Sequence, residues 1–304
     1  MPTEYITVGR EKFAFDPQSK PLGQGAMGTV FAGRSMADNR PVAIKIVNPR
    51  FANIPSVRQR AREEAQLRFR HPNLIETVGL CEPFPNRGPI FIVSNYVSGI
   101  SIDKHVNRNL RQFDDFTRRV VMTMMPVLDA LTYLHGIPVY HLDIKPSNIM
   151  VEHGNSNVRL MDLGIAYTRE VHEITSAGLL GTPGYAAPEQ YVEVGRALDV
   201  DATTDLYEFA VTLYELLVGV KPDVEADLSD QNPNVMAVIE KAMSPDRENR
   251  YQSASELKDA LNYALSKPPR PKWVVPAAIG GAMAPSLQGG AAAAAIGVGL
   301  ALLL

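Results

Sequence analysis

The chain has 304 residues, 45% of them hydrophobic and 21% charged, with 30 basic against 33 acidic side chains and one cysteine. At roughly 150 residues per domain this allows one large domain or two lobes with a sizeable core, and the composition excludes disorder, a disulfide scaffold and a collagen-like chain. A net charge of −3 lacks the basic bias of a nucleic-acid-binding protein, so no nucleic acid is expected as a partner.

The first 21 residues read as an N-terminal extension, and their start, MPTEYITVGREKF, lacks the apolar run of a signal peptide. Residues 22–97 hold short β-like runs at 28–33, 41–47 and 89–97, broken by one charged helical stretch at 56–70. That pattern predicts a small, mostly antiparallel sheet with one helix. Cys81 has no intramolecular partner and follows apolar Leu80, which suits a buried thiol in a reducing cytoplasm. From about residue 101 to 266 helical periodicity takes over. Phe116, Val120, Met124, Leu128, Leu131 and Leu134 fall three or four apart and mark one face of a long helix. Met122, Met124 and Met125 read as core packing rather than ligands. A basic, proline-rich linker, KPPRPK, occupies 267–272, and residues 273–304 carry no charge at all.

Three motifs carry chemistry. The run Leu22-Gly23-Gln24-Gly25-Ala26-Met27-Gly28-Thr29-Val30 is a G-x-G-x-x-G-x-V pattern, in which glycines let backbone N–H groups approach phosphate oxygens and Val30 can cover a flat base. A dinucleotide-binding turn would need a helix next, whereas Thr29-Val30-Phe31-Ala32 reads as strand. Lys45 stands inside the apolar run Val42-Ala43-Ile44-Lys45-Ile46-Val47 and needs a charge to pair with, either phosphates or a carboxylate from Arg62-Glu63-Glu64-Ala65. Finally, His141-Leu142-Asp143-Ile144-Lys145-Pro146-Ser147-Asn148 is followed by Met161-Asp162-Leu163-Gly164. Phosphoryl transfer needs a carboxylate to receive a hydroxyl proton, a cation near the phosphoryl group and oxygen ligands for Mg²⁺. Asp143, Lys145, Asn148 and Asp162 are residues of those types.

On these residues the chain resembles the eukaryotic-type Ser/Thr protein kinases of the compact bacterial kind. His71-Pro72-Asn73, the G-T-x-x-Y-x-A-P-E element from Gly181 to Glu189, Asp205 and Arg250 reinforce the resemblance. It implies an α+β, two-lobed fold: a small antiparallel β lobe with one main helix at 22–97, and a larger helical catalytic lobe at 98–266. It also implies ATP and Mg²⁺ as cofactors and Ser/Thr hydroxyls of proteins as acceptors. Asp143 would be the catalytic base with Lys145 beside it, and Asn148 and Asp162 the metal ligands. Leu22, Gly23, Gly25, Gly28, Val30, Ala43, Lys45 and Met150 would surround the nucleotide. Glu64 is assigned as the carboxylate that pairs with Lys45, with Glu63 as its competitor. Glu189 and Arg250 would form a buried ion pair, and Asp205 would brace the catalytic loop. A catalytically silent scaffold on the same fold, and a small-molecule or lipid kinase, are the competing readings.

The chain departs from the family at several points. Leu142 replaces the arginine before the catalytic aspartate, so activity is expected without a strict need for phosphorylation at Thr168, Thr175 or Ser176. Leu163 stands where phenylalanine is usual, a conservative change. Ser94 puts a small side chain at the back of the adenine pocket, where a rear cavity is expected. The stretch 222–234 leaves little room for the substrate-docking helix.

The 32 uncharged residues at 273–304 exceed the ~20 needed to span a bilayer. Pro285, Gln288, Gly289 and Gly290 interrupt them, and the firmest helical stretch, 291–304, is short. Two readings stay open: an unstructured Ala/Gly tail, or a transmembrane segment behind a cationic linker, holding a cytoplasmic catalytic domain at the membrane face.

Overall fold

The structure, a computed structural model, describes residues 3–25, 28–66, 69–162, 167–168, 181–191 and 199–268. The tail at 273–304, the linker beyond Pro268 and Thr175, Ser176 and Leu163 lie outside these. Among the described residues no helix is long and apolar enough to cross a membrane.

The N-terminal part alternates strands and two helices. They are β1 (Glu4–Val8), β2 (Glu11–Phe15), β3 (Gly23–Gly25), β4 (Gly28–Ser35), β5 (Pro41–Val47), α1 (Pro49–Ala52), α2 (Pro55–Gln66), β6 (Thr77–Cys81) and β7 (Phe91–Asn95). The strands pair antiparallel in the order β1-β2-β4-β5-β7-β6, with β3 added to β4. Residues read from sequence as an extension thus supply two strands. The cause is apolar: Ile6, Phe13 and Phe15 are buried with Phe31, Val42, Ile44, Phe91 and Val93 in one cluster. Cys81 is only partly buried, packed against that cluster.

Because β5 alternates, Val42 and Ile44 point into this core, while Ala43 and Lys45 face the other way, toward the cleft between the lobes. The second apolar cluster, Val47, Ala52, Val57, Ala61, Ile90 and Ile92, seats α1 and α2 on the sheet. Buried Arg58 also ties α2 to the β6–β7 connection, pairing with Glu82 at 2.6 Å and donating to the carbonyls of Phe84 and Gly88 at 3.1 and 2.6 Å. Arg62 Nε reaches the other Glu82 oxygen at 2.7 Å.

The larger lobe begins with β8 (Gly99–Ser101) and α3 (Ile102–His105) and continues through α4 (Phe116–His135) and β9 (Val139–Tyr140). Next come β10 (Ile149–Glu152), β11 (Val158–Leu160), β12 (Tyr167–Thr168), α5 (Ala202–Val218), α6 (Pro233–Ala242) and α7 (Ala254–Ser266). The expected face of α4 is buried, including Met124 and Met125, but Met122 is exposed, because it lies across the helix from that stripe. α5 is buried nearly all round and stands at the centre of the lobe. Asp201 caps its N-terminus through Thr203 N at 2.8 Å, and Gly219, with φ +94°, ends it. Between α5 and α6 the chain forms no helix, consistent with the missing docking helix expected there.

Candidate active site

Local geometry places the third motif. After β9, His141 and Leu142 turn, Pro146 opens a short 3-10 turn ending at Asn148, and β10 leads away. Leu142 and Asp162 adopt left-handed backbone, φ +59° and +60°. For a bulky leucine that conformation costs about 1–3 kcal/mol and must be held by its surroundings. The holding groups come from α5 and the residues before it. Asp205 accepts from His141 N at 2.9 Å through Oδ2 and from Leu142 N at 2.8 Å through Oδ1, and His135 Nε2 also donates to Oδ2 at 2.8 Å. Gln190 Nε2 donates to the Leu142 carbonyl at 3.1 Å, and Glu208 accepts from Ile144 N at 2.7 Å. His141 Nε2 donates to Met161 O at 2.8 Å, which links the turn to the segment bearing Asp162.

Asp143 is 8% exposed, and both its oxygens are engaged. Oδ2 accepts from Lys145 Nζ at 2.7 Å and Asn148 Nδ2 at 3.0 Å, while Oδ1 accepts from the Thr182 hydroxyl at 2.5 Å. Lys145 also donates to Thr182 Oγ1 at 2.6 Å. The Thr182 hydroxyl oxygen thus lies within hydrogen-bond distance of both a carboxylate and an ammonium, an arrangement in which a carboxylate can serve as a general base toward a hydroxyl. Asn148 spends its amide hydrogens on Asp143, with the second bond to the backbone oxygen at 2.8 Å, so what it offers a ligand is oxygen.

Lys45 pairs with Asp162 across the lobes. Burial pushes the Asp162 carboxyl up, but the adjacent Lys45 ammonium, helped by His141 and Lys145, outweighs it and holds the group below the usual carboxylate range. Asp162 therefore stays ionised. Glu64 and Glu63 both lie on α2, and their side chains are outside the described residues.

Between the lobes a cavity of about 430 Å³ is walled by Leu22, Val30, Ala43, Ser94, Met150 and Leu160 and ends at Lys45 and Asp162. Gly23 also lines it, and a Cβ added there or at Gly25 would meet nothing within 4 Å. Gly28 differs from them: a Cβ there would lie 2.2 Å from Ile46 O. The third glycine of the motif is demanded by the sheet itself, where Gly28 pairs with Val47. Ala26 and Met27 lie outside the described residues.

A protein kinase domain model matches residues 17–278. The chain belongs to the protein kinase family. This kinase-family chain is 32% identical over 267 residues to the serine/threonine-protein kinase PknB of Mycolicibacterium smegmatis, covering 79% of the chain and 41% of that protein. It is 30% identical over 272 residues to the serine/threonine-protein kinase Pkn1 of Myxococcus xanthus, covering 81% and 38%. It spans less than half the length of these curated relatives. The crystal structure of the Mycobacterium tuberculosis PknI kinase domain matches with a TM-score of 0.64 at 26% identity, over 81% of this chain and 94% of that one.

The kinase-family core brings together Asp143, Lys145 and Asn148, with Lys45 and Asp162 at the end of the cavity. Glu189 and Arg250 pair as expected, at 2.7 and 3.0 Å. Sequence reasoning did not find the supports beneath them. His135, Gln190 and Glu208 all hold the turn at 141–145 or its brace, and Glu208 alone left a trace, a carboxylate one turn after Asp205 in a helix rich in apolar residues.

Proposed function

We propose that the protein transfers the γ-phosphoryl group of Mg²⁺·ATP to Ser or Thr hydroxyls of other proteins, in signalling. The observation that carries this reading is the Asp143 carboxylate, held by Lys145 and Asn148 with the Thr182 hydroxyl on Oδ1, on the turn that precedes Ser147 and Met150 of the cavity wall. The residues fit the cofactor. The cavity has apolar walls for a base, an open glycine edge, an ammonium, and a hard oxygen donor in Asp162; Asn148, next to the lining residue Ser147, is a second residue with an oxygen of the type Mg²⁺ prefers. When bound, Mg²⁺·ATP supplies the electrophilic phosphoryl group and neutralises charge that develops on it.

The chain's residues then divide the work. Leu22, Val30, Ala43 and Met150 would enclose the base, Gly23 and Gly25 would leave room at the phosphates, and Lys45 would hold them, with Glu64 as the carboxylate proposed to steady it. Asp143 orients the acceptor hydroxyl and takes its proton. Lys145 steadies the transferred group's charge. Asn148 and Asp162 would hold the metal. Incubating the full chain with Mg²⁺ and labelled ATP on a generic protein acceptor should label Ser and Thr, and Asp143→Asn should lose at least 10²-fold in kcat, the scale of general-base contributions. Equal labelling by both proteins would overturn the reading, and label in a lipid or soluble product would redirect it.

We also propose that residues 273–304 attach the enzyme to the cytoplasmic face of a membrane. A run of 32 uncharged residues behind Lys267, Arg270 and Lys272 supports this. The full chain should sediment with membranes and resist salt but not detergent, and Ile296→Asp with Leu300→Asp should release it. Recovery of the unaltered full chain in the soluble fraction would rule it out.

A further inference from the structure

Glu208 is fully buried on α5, one turn after Asp205. Its Oε2 accepts from the backbone N–H of Ile144, the residue next to Asp143, at 2.7 Å, and the carbonyl of Ile144 accepts from Thr212 Oγ1 at 3.1 Å on the same helix. The other oxygen, Oε1, is buried without a hydrogen-bond partner among the described residues. Three polar atoms crowd one small space there. A Cβ on Gly181 would stand 3.3 Å from Oε1, 2.9 Å from Gln190 Nε2 and 2.9 Å from Leu142 O.

A carboxylate would be costly at this position. The ionisable groups facing it are acids, Asp205 on its own helix and Asp143 on the catalytic turn, and the segment at 188–190 contributes the neutral amide of Gln190. The nearby nitrogen donors are engaged with those acids, Lys145 with Asp143 and His135 with Asp205. Burial first, then the charge of Asp205, push the Glu208 carboxyl well above its ordinary range, against the pull of the Ile144 N–H. A neutral acid fits the geometry. Oε2 remains the acceptor for Ile144, and Oε1 becomes an O–H in the space at Gly181 that Leu142 O also borders, a carbonyl with a second lone pair left after Gln190 takes one.

We propose that Glu208 is a positioning residue for phosphoryl transfer, a protonated carboxylic acid that fixes Ile144 and so aims Asp143, and whose loss of that proton unseats the catalytic turn. Deprotonation adds a third negative charge next to Asp205 and Asp143 and removes the hydroxyl from the Gly181 cluster. The result is an alkaline fall in kcat governed from behind the active site, with nucleotide affinity spared because Glu208 touches none of the cavity wall. This rests on the phosphotransfer reading above.

The test is the pH profile of kcat and KM for ATP in the full chain, with Glu208→Gln and Glu208→Ala. Gln keeps the acceptor and replaces the hydroxyl with an N–H donor that does not titrate. It should retain most of the neutral-pH kcat and shift the alkaline fall to higher pH. Ala leaves Ile144 N unpaired and should lose about 10- to 100-fold in kcat with KM for ATP changed less than about twofold. An alkaline limb identical in wild type and Glu208→Gln, or an Ala variant with wild-type kcat, overturns the proposal. If Ala fails to fold, the Gln profile still decides. A second readout needs no activity: the infrared carbonyl band of a protonated carboxyl should be present in wild type at pH 8 and absent from Glu208→Gln. Absence of that band from wild type refutes a neutral Glu208, whether or not the chain phosphorylates protein.

Discussion

Arg250 grips Glu189 through two parallel hydrogen bonds, 2.7 and 3.0 Å long, with its guanidinium wholly out of solvent. It also donates to the carbonyls of Ser244 and Thr203, at 2.7 and 3.2 Å, so one side chain joins the segment at 188–190 to the start of α5 and to the chain before α7. Removing it leaves a carboxylate that is 14% exposed without its partner. Arg250→Ala should lower stability by about 3–5 kcal/mol, read as a fall in the denaturation midpoint.

The same pair predicts a pH dependence. Burial pushes the Glu189 carboxyl up, but the hydrogen bonds and charge of Arg250 outweigh it, and the folded-state value lies below the ordinary one. A lowered value means that the stabilisation is present above the unfolded-state pKa near 4.5 and is lost as pH falls through the folded value. Melting temperature should fall from about pH 5 downward in wild type. In Arg250→Met that component should vanish, because an unpaired buried Glu189 favours its proton instead. An equally steep acid loss in the variant would assign it to other carboxylates.

Leu142 carries the next prediction. Its side chain is fully buried, and its backbone is held by Asp205 and Gln190 rather than by any charge its own side chain could offer a phosphate. Thr175→Ala and Ser176→Ala, singly or together, should therefore keep at least about a third of wild-type kcat, a loss under 1 kcal/mol. Leu142→Ala, by contrast, should cost about 2–5 kcal/mol of stability through the cavity it leaves. Near-complete loss of turnover in Thr175→Ala would show that the turn is not self-supporting.

Much of this arrangement was legible before any coordinates, and the limits have physical causes. Asp143, Lys145, Asn148, Lys45 and Asp162 announce themselves because charged and amide groups stand at fixed spacings among apolar neighbours. Helix α4 shows because its buried face repeats at helical spacing. β1 and β2 were missed: two five-residue strands joined by a two-residue turn, with burial concentrated at Ile6 and at Phe13 to Phe15, carry too little periodicity to separate from an extension. The supports at His135, Gln190 and Glu208 were illegible for another reason. They act across 48 to 70 residues of chain, and no local pattern encodes that distance.

The glycine motif separates into two physical roles that substitution can tell apart. At Gly28 a methyl group would stand 2.2 Å from the Ile46 carbonyl, inside the β4–β5 pairing. At Gly25 it would meet nothing within 4 Å. Gly28→Ala should destabilise the protein by about 1–3 kcal/mol, while Gly25→Ala should leave stability within about 0.5 kcal/mol and act, if at all, on KM for ATP. Thermal denaturation of both variants beside ATP titrations makes the distinction. Equal melting temperatures for the two would place Gly28 with the nucleotide rather than with the sheet.

Ser94 puts a small side chain on the wall of the cavity. It pairs across the sheet with Ala43 on one side and Thr77 on the other, and all three face the same space of about 430 Å³. Three short side chains stand in a row there, beside Ile92 and Lys45 of the same lining, where a bulky residue at 94 would take up space. ATP analogues enlarged at N6 should therefore be accepted with KM within about tenfold of that for ATP, whereas Ser94→Met, which fills the space with a flexible side chain, should reject them while still using ATP. Competition of such an analogue against labelled ATP in both proteins measures the difference directly. If wild type and Ser94→Met exclude it equally, the limit on size lies elsewhere in the cavity, and the row of small residues does not set it.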